Sequence, residues 1–201
     1  MGDLTAVEVL ARFSMLVRVA GDEQQGRVIK QIGDEFMLVF GDPVAAVRCA
    51  LDIQRRVADE PRFLGTRVGV HVGPVLYRQG DYFGATVNLA ARLTSTAARD
   101  QVLVSHSVRL AIEDDPDLRI VPLGMRDLKG IDDDVEVFEV RRQADAGAAR
   151  FRDPVCEMVL LDDEIVARVE FDGHVHVFCS AACLRQFSTD PERFARRYRA
   201  S

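Results

Sequence analysis

Asp81-Tyr82-Phe83-Gly84-Ala85-Thr86-Val87-Asn88-Leu89-Ala90-Ala91-Arg92-Leu93 is the stretch on which the reading of this 201-residue chain turns. Val87 to Thr94 has helical character, so Asn88 and Arg92, four residues apart, share one helix face. An amide and a guanidinium aimed the same way suit an anionic, oxygen-rich ligand, because Arg grips phosphate bidentately. The competing reading is a solvated helix face. Val87, Leu89, Ala90, Ala91 and Leu93 are all apolar, so the expectation is a mostly buried helix on which Asn88 and Arg92 are polar exceptions with assigned partners.

Upstream, Gly33-Asp34 punctuates two β-rich runs, RVIKQI and EFMLVF, which is a hairpin signal. A carboxylate at that tip projects freely and can coordinate a hard cation such as Mg²⁺ or Mn²⁺. Taken alone, Asp34 reads better as a turn residue and Lys30 as a solvated strand lysine. Leu4 to about Gly21 is helical by the spacing of Leu10, Phe13, Val17 and Ala20, with Thr5 and Glu8 as a capping box. Asp3 reads as a cap. Asp42-Pro43 opens a second helix, on which Cys49 is a small core residue. Arg67 to Val75 reads as a strand, Gln101 to Val104 as another, and Ala111 to Asp117 as a helix ending in an acidic turn. Val121 to Val140 reads as two strands around Lys129-Gly130. The layout is α+β.

The small, polar run from Gln143 to Arg150 is a linker by composition, giving a domain over 1–142, a linker over 143–150 and a second domain over 151–201. A net charge of −6 and a pI near 5.3 offer no basic field for nucleic acid. No apolar run approaches bilayer-spanning length and no signal-peptide pattern opens the chain, so a cytoplasmic protein without membrane contact is expected.

The first domain resembles the class III adenylate and guanylate cyclases. Lys30-Gln31-Ile32-Gly33-Asp34 is similar to that family's Lys-x-x-Gly-Asp hairpin, Asp81 to Leu93 to its most specific segment, and Leu128-Lys129-Gly130-Ile131 to its closing strands. The resemblance implies a ferredoxin-like cyclase fold and the conversion of ATP to cyclic AMP and pyrophosphate. It gives Asp34 catalytic metal (Mg or Mn), Lys30 and Asp81 the purine, Asn88 the ribose, and Arg92 the phosphate in the transition state. It also implies a homodimer with shared sites, because metal and purine residues come from opposite subunits. Lys donating to a ring nitrogen and Asp accepting from an exocyclic amine suit adenine over guanine. Family domains begin with a strand ending in a second metal Asp, followed by a phosphate-binding loop. This sequence starts at the next helix, so the expectation is a domain lacking its first strand, with unpaired strand edges, a two-metal site short of one ligand, and impaired turnover. The alternative is a non-catalytic nucleotide-binding or dimerising module. Gly33-Asp34-Glu35-Phe36 echoes diguanylate cyclases, but Ile32 stands where their first Gly belongs, and the Asp81–Arg92 segment has no place there.

The second domain resembles the YHS domain through Asp153-Pro154-Val155-Cys156-Glu157-Met158 and Phe178-Cys179-Ser180-Ala181-Ala182-Cys183, followed by Phe187 and Asp190-Pro191-Glu192-Arg193-Phe194. That family is suspected of binding a transition metal. Cys156, Cys179 and Cys183 could form a soft site for Zn or Cu and give the domain a metal- or redox-sensing role. Cys179 and Cys183 near one helix start would have lowered thiol pKa values. Glu157 departs from the family's Gly, and His174 and His176 read as strand residues sharing one face, the solvent one.

Overall fold

The computed structural model describes residues 3–60, 63, 65–145, 151–156, 158–160 and 162–198. It divides into two units, Met1–Ala146 and Gly147–Ser201. The first follows the order α1 (Asp3–Glu23), β1 (Arg27–Ile32), β2 (Glu35–Val39), α2 (Pro43–Ala58), β3 (Arg67–Val70), β4 (Leu76–Arg78), β5 (Asp81–Phe83), α3 (Ala85–Thr96), β6 (Gln101–Ser105), α4 (His106–Ile112), β7 (Leu118–Arg126) and β8 (Val135–Arg142). This is the α+β layout the patterning implied.

The centre is a four-stranded mixed sheet in the order β3-β6-β8-β7, with β3 and β6 parallel and the other pairs antiparallel. The run Val102-Leu103-Val104 of β6 is buried on both faces, which is why it does not alternate. Val102 and Val104 pack on Val47, Ala50 and Leu51 of α2 and on Val108 and Ile112 of α4. Leu103 points the other way, onto Leu93 and Ala97. Gly69 of β3 sets how closely α3 approaches. A Cβ there would collide with the Ala90 carbonyl oxygen and the Thr94 backbone nitrogen.

Two hairpins stand outside this sheet. Strands β1 and β2 pair only with each other, as do β4 and β5, and among the described residues β3 pairs on one side alone. The β1–β2 hairpin is anchored from one face instead: Phe36 and Leu38 pack with Phe13, Leu16 and Val17 of α1 and with Cys49, Ile53 and Val57 of α2.

Several boundaries differ from expectation. Helix α1 begins at Asp3, and the side chains of Asp3 and Thr5, expected as caps, lie outside the described residues. Strand β3 stops at Val70, short of the expected Val75, and Pro74, which has no N–H to donate, lies in the unpaired stretch that follows. Helix α4 ends at Ile112, before the acidic turn. Within the expected linker, Gln143–Asp145 form a short 3-10 turn, and 146–150 lie outside the described residues.

The second unit comprises β9 (Phe151–Arg152), β10 (Val159–Leu160), β11 (Ala167–Phe171), β12 (His174–Phe178), α5 (Ala181–Thr189) and α6 (Pro191–Tyr198). Strands β11 and β12 form a hairpin through Asp172-Gly173, and Phe178, Phe187 and Phe194 make the core.

Replacing Gly69 by Ala should destabilise the first unit by about 1–3 kcal/mol, the usual cost of overpacking, because the neighbours it meets include backbone. Urea unfolding followed by circular dichroism measures this. An unchanged midpoint would contradict the close packing of α3 on β3.

Candidate active site and a cluster of thiols

The β1–β2 hairpin presents Lys30 and Asp34. A bulge between Val28 and Lys30 shifts the register, and such bulges re-aim the side chains beside them. Asp34 sits in the exposed turn between the strands. The Lys30 ammonium donates to Asp81 Oδ2 at 2.6 Å, across 51 positions of sequence, while Asp81 Oδ1 accepts from the Tyr82 N–H at 2.8 Å. Those two bonds, Lys30's first, hold the Asp81 carboxyl below the usual carboxylate range. Both side chains remain partly exposed, at 38% and 27%. An ion pair this open contributes little stability, so its geometry is informative chiefly about what the two groups can offer a ligand.

Asp81 is carried by the β4–β5 hairpin, which the sequence reading missed. Its signal was present: Gln79-Gly80 between LYR and DYF, with both turn residues at positive φ. Leu76 faces Phe83 across this hairpin, and the Tyr77 and Tyr82 rings are 5.0 Å apart. Gly84, at φ 125°, turns the chain from β5 into α3, and its carbonyl accepts from the Asn88 N–H. A side chain at that φ would be strained.

Asn88 and Arg92 share a face of α3 as expected, but both are exposed, which corrects the reading of a mostly buried helix. Only Leu93 of α3 is fully buried, packed with Leu103, Leu128 and Val137. The alanines misled, since Ala favours helices whether or not it is covered. Arg92 is bordered by the turn after Leu128: its Nη2 would lie 3.9 Å from a Cβ on Gly130. The structure thus brings Lys30 to Asp81 and Arg92 to Gly130.

In the second unit, Cys156, Cys179 and Cys183 do converge. The Sγ atoms of Cys156 and Cys179 are 3.5 Å apart, and those of Cys179 and Cys183 3.6 Å. With Asp153 they form a group that could hold a metal ion, all four candidate ligand atoms lying within 4.8 Å of one another. Asp153 was missed as part of this site. It is fully buried, and its carboxylate accepts from the N–H groups of Val155 (2.9 Å), Cys156 (3.3 Å) and Cys179 (2.9 Å). Burial by itself would raise its pKa, but the donors from Cys179, Val155 and Cys156 outweigh burial and hold it below the ordinary value. One carboxylate therefore fixes both cysteine-bearing segments. Ser180 caps α5 by accepting from the Cys183 N–H, which sets the third thiol.

For Cys179 the expected lowering of thiol pKa is corrected. Burial, above all, pushes Cys156 up to about 11, and burial followed by Asp153 pushes Cys179 upward too. The helix start is outweighed, because Cys179 precedes the cap and lies beside a carboxylate. The histidine expectation is corrected as well: His174 is exposed, but His176 is 4% exposed, its ring 5.1 Å from that of Phe187. Glu157 lies outside the described residues.

Residues 4–141 match the family model of the adenylate and guanylate cyclase catalytic domain, and residues 151–198 that of the YHS domain. The chain belongs to the adenylate and guanylate cyclase catalytic domain family. It is 41% identical over 119 residues to a pH-sensitive adenylate cyclase of Mycobacterium tuberculosis, covering 58% of this chain and 30% of that protein. It is 32% identical over 151 residues to an adenylate cyclase of Glutamicibacter nicotianae, covering 73% and 36%. The chain thus spans about a third of the length of these curated relatives. Among solved structures, the adenylate/guanylate cyclase/hydrolase from Silicibacter pomeroyi superposes with a TM-score of 0.58 at 29% identity, over 70% of this chain and 90% of that one. The adenylyl cyclase CyaB from P. aeruginosa does so with 0.61 at 23% identity, over 70% and 84%, a likeness of fold. Among the described residues, no helix of this cyclase-family chain is long and apolar enough to cross a membrane.

His176 is held below its ordinary value of 6.5, by burial first and by His174 second. A buried neutral imidazole protonates more readily once unfolded, so in that window the unfolded state binds more protons. Its contribution to stability is complete above about pH 6.5 and is lost as pH falls through the lower folded pKa. The thermal midpoint should therefore drop on acidification from neutral pH, and His176→Leu should flatten that drop. Identical pH slopes for both proteins would contradict the burial of this imidazole.

Proposed function

We propose that the first unit is an adenylate cyclase domain, acting on ATP in the cytoplasm as a homodimer and releasing cyclic AMP and pyrophosphate. The Lys30–Asp81 contact carries this reading. An ammonium and a carboxylate within hydrogen-bond distance present a donor beside an acceptor, the complement of a ring nitrogen next to an exocyclic amine. That pattern belongs to adenine; guanine offers a carbonyl in place of the amine. On this reading the adenine edge replaces the direct ion pair with two hydrogen bonds. Asn88 orients the ribose, and Arg92 sets its guanidinium against charge developing on the α-phosphate as the 3′-oxygen attacks. The exposure of Asn88 and Arg92 is favourable here, because a site shared between subunits is open in a single one.

Asp34 fits a divalent cation in part: it is an exposed carboxylate at a hairpin tip, and Mg²⁺ is commonly bound through one or two carboxylates plus substrate phosphates. Bound there, Mg or Mn would activate the attacking oxygen and neutralise phosphate charge. Incubation of the full chain with Mn-ATP, with cyclic AMP quantified by mass spectrometry, tests the reading. Cyclic AMP should form, and Arg92→Ala should lower its rate about a hundredfold or more. No cyclic AMP, or an unaltered rate in Arg92→Ala, would overturn it.

For the second unit we propose a soft-metal site on Cys156, Cys179 and Cys183, taking Zn or Cu. Sulfurs 3.5 and 3.6 Å apart are close to the roughly 3.8 Å edge of a tetrahedron with Zn–S bonds of about 2.3 Å. Asp153 is already engaged by three backbone donors, so its part is to position the thiols. Purified protein should carry close to one ion per chain by plasma emission spectroscopy, and Cys183→Ala should lose most of it. Metal-free wild type after zinc exposure would refute the site.

A further inference from the structure

The three thiols form a row with Cys179 in the middle, and its two neighbours are differently held. Cys183 lies in the first turn of α5, where Ser180 accepts its N–H at 3.2 Å, so it cannot approach Cys179 without disturbing a capped helix start. Cys156 lies in a turn, outside any helix or strand. Its N–H and that of Cys179 both donate to the Asp153 carboxylate, so one buried group already clamps the two segments together. The 3.5 Å between their sulfurs is a non-bonded contact, and a disulfide at about 2 Å needs only a small closing movement of the turn. All three cysteines are half-buried, within reach of a small oxidant, whereas Cys49 is enclosed in the core of the other unit.

We infer that Cys156 and Cys179 are a reversible disulfide pair, formed by a hydroperoxide and reopened by a dithiol reductant, with Cys183 left as a free thiol. One of the two thiols attacks a peroxide oxygen through its thiolate, a minor form because burial favours the protonated thiol; the O–O bond breaks, giving a sulfenic acid and, from hydrogen peroxide, water once the leaving hydroxide is protonated. The second sulfur attacks the sulfenic sulfur, the S–S bond forms, the S–O bond breaks, and the hydroxyl leaves as a second water with the thiol proton. Two thiols and one hydrogen peroxide thus become one disulfide and two waters. Reopening needs an external dithiol: one of its thiolates attacks a bridge sulfur and releases the other cysteine as a thiol, and its second thiol then displaces the first cysteine, closing the reductant's own disulfide. The bridge removes two of the three sulfur donors, so the oxidised chain and a metal-bound one exclude each other. Formation of the bridge itself does not rest on the metal reading.

The test uses the full chain, stripped with a chelator, reduced, and then treated with hydrogen peroxide. The remaining thiols are alkylated and the peptides mapped. Cys179 and Cys183 share one tryptic peptide, between Arg168 and Arg185, so tandem fragmentation locates the link. Expected are a Cys156–Cys179 link, alkylated Cys183 and Cys49, full reversal by dithiothreitol, and retention of the link in Cys183→Ser. A Cys179–Cys183 link, a bridge between chains, or oxidation to sulfinic acid without a bridge would overturn the proposal. A parallel sample preloaded with zinc should bridge at least about tenfold more slowly. Bridging in the stripped sample without zinc retention would sink the metal reading alone, and zinc retention without bridging would sink the switch alone.

Discussion

The contact between Lys30 and Asp81 ties together two hairpins that the central sheet does not hold. The β1–β2 hairpin rests on α1 and α2 through its apolar face, and the β4–β5 hairpin runs directly into α3. Neither shares a ladder with β3-β6-β8-β7. Their joint orientation therefore depends on few interactions, of which this 2.6 Å ion pair is a principal one. Because exposed pairs are worth at most about 1 kcal/mol, it orients and presents groups more than it stabilises the fold. Asp34 lies in the turn of the first hairpin, and the second runs through Gly84 into α3, which carries Asn88 and Arg92.

The sheet and its helices were largely legible because burial leaves periodic traces. Gln101 to Val104 was legible as a strand, which the structure shows to be covered on both faces, and Asp42-Pro43 announced a helix start that Asp42 does cap. What misled was residues whose local preference and burial point different ways. Alanines made α3 look covered, and His176 looked like a strand surface residue although it lies against Phe187. Short β4 and β5, three residues each, leave too little pattern to read around Gln79-Gly80.

The thiol cluster shows the same division. The three cysteines could be grouped from their position in the last quarter of the chain, but the group that gathers them could not. Asp153 reads as an ordinary loop acid beside a proline; only the fold shows a fully buried carboxylate holding both cysteine segments by their backbone N–H groups. Its position also reverses the expected effect of the helix start on thiol acidity, because burial and a neighbouring negative charge both favour the protonated thiol.

We propose that Lys30 and Asp81 form an adenine-reading pair, and nucleotide affinity tests this whether turnover is fast or slow. Isothermal titration of the full chain with ATP and with GTP in the presence of Mn²⁺ gives the two dissociation constants. The account predicts ATP binding tighter by about tenfold or more, since one mismatched hydrogen-bonding group costs on the order of 1.4 kcal/mol or above, and predicts that the preference collapses in Asp81→Ala. Equal affinities in the native chain, or a preference for ATP that survives Asp81→Ala, would contradict it.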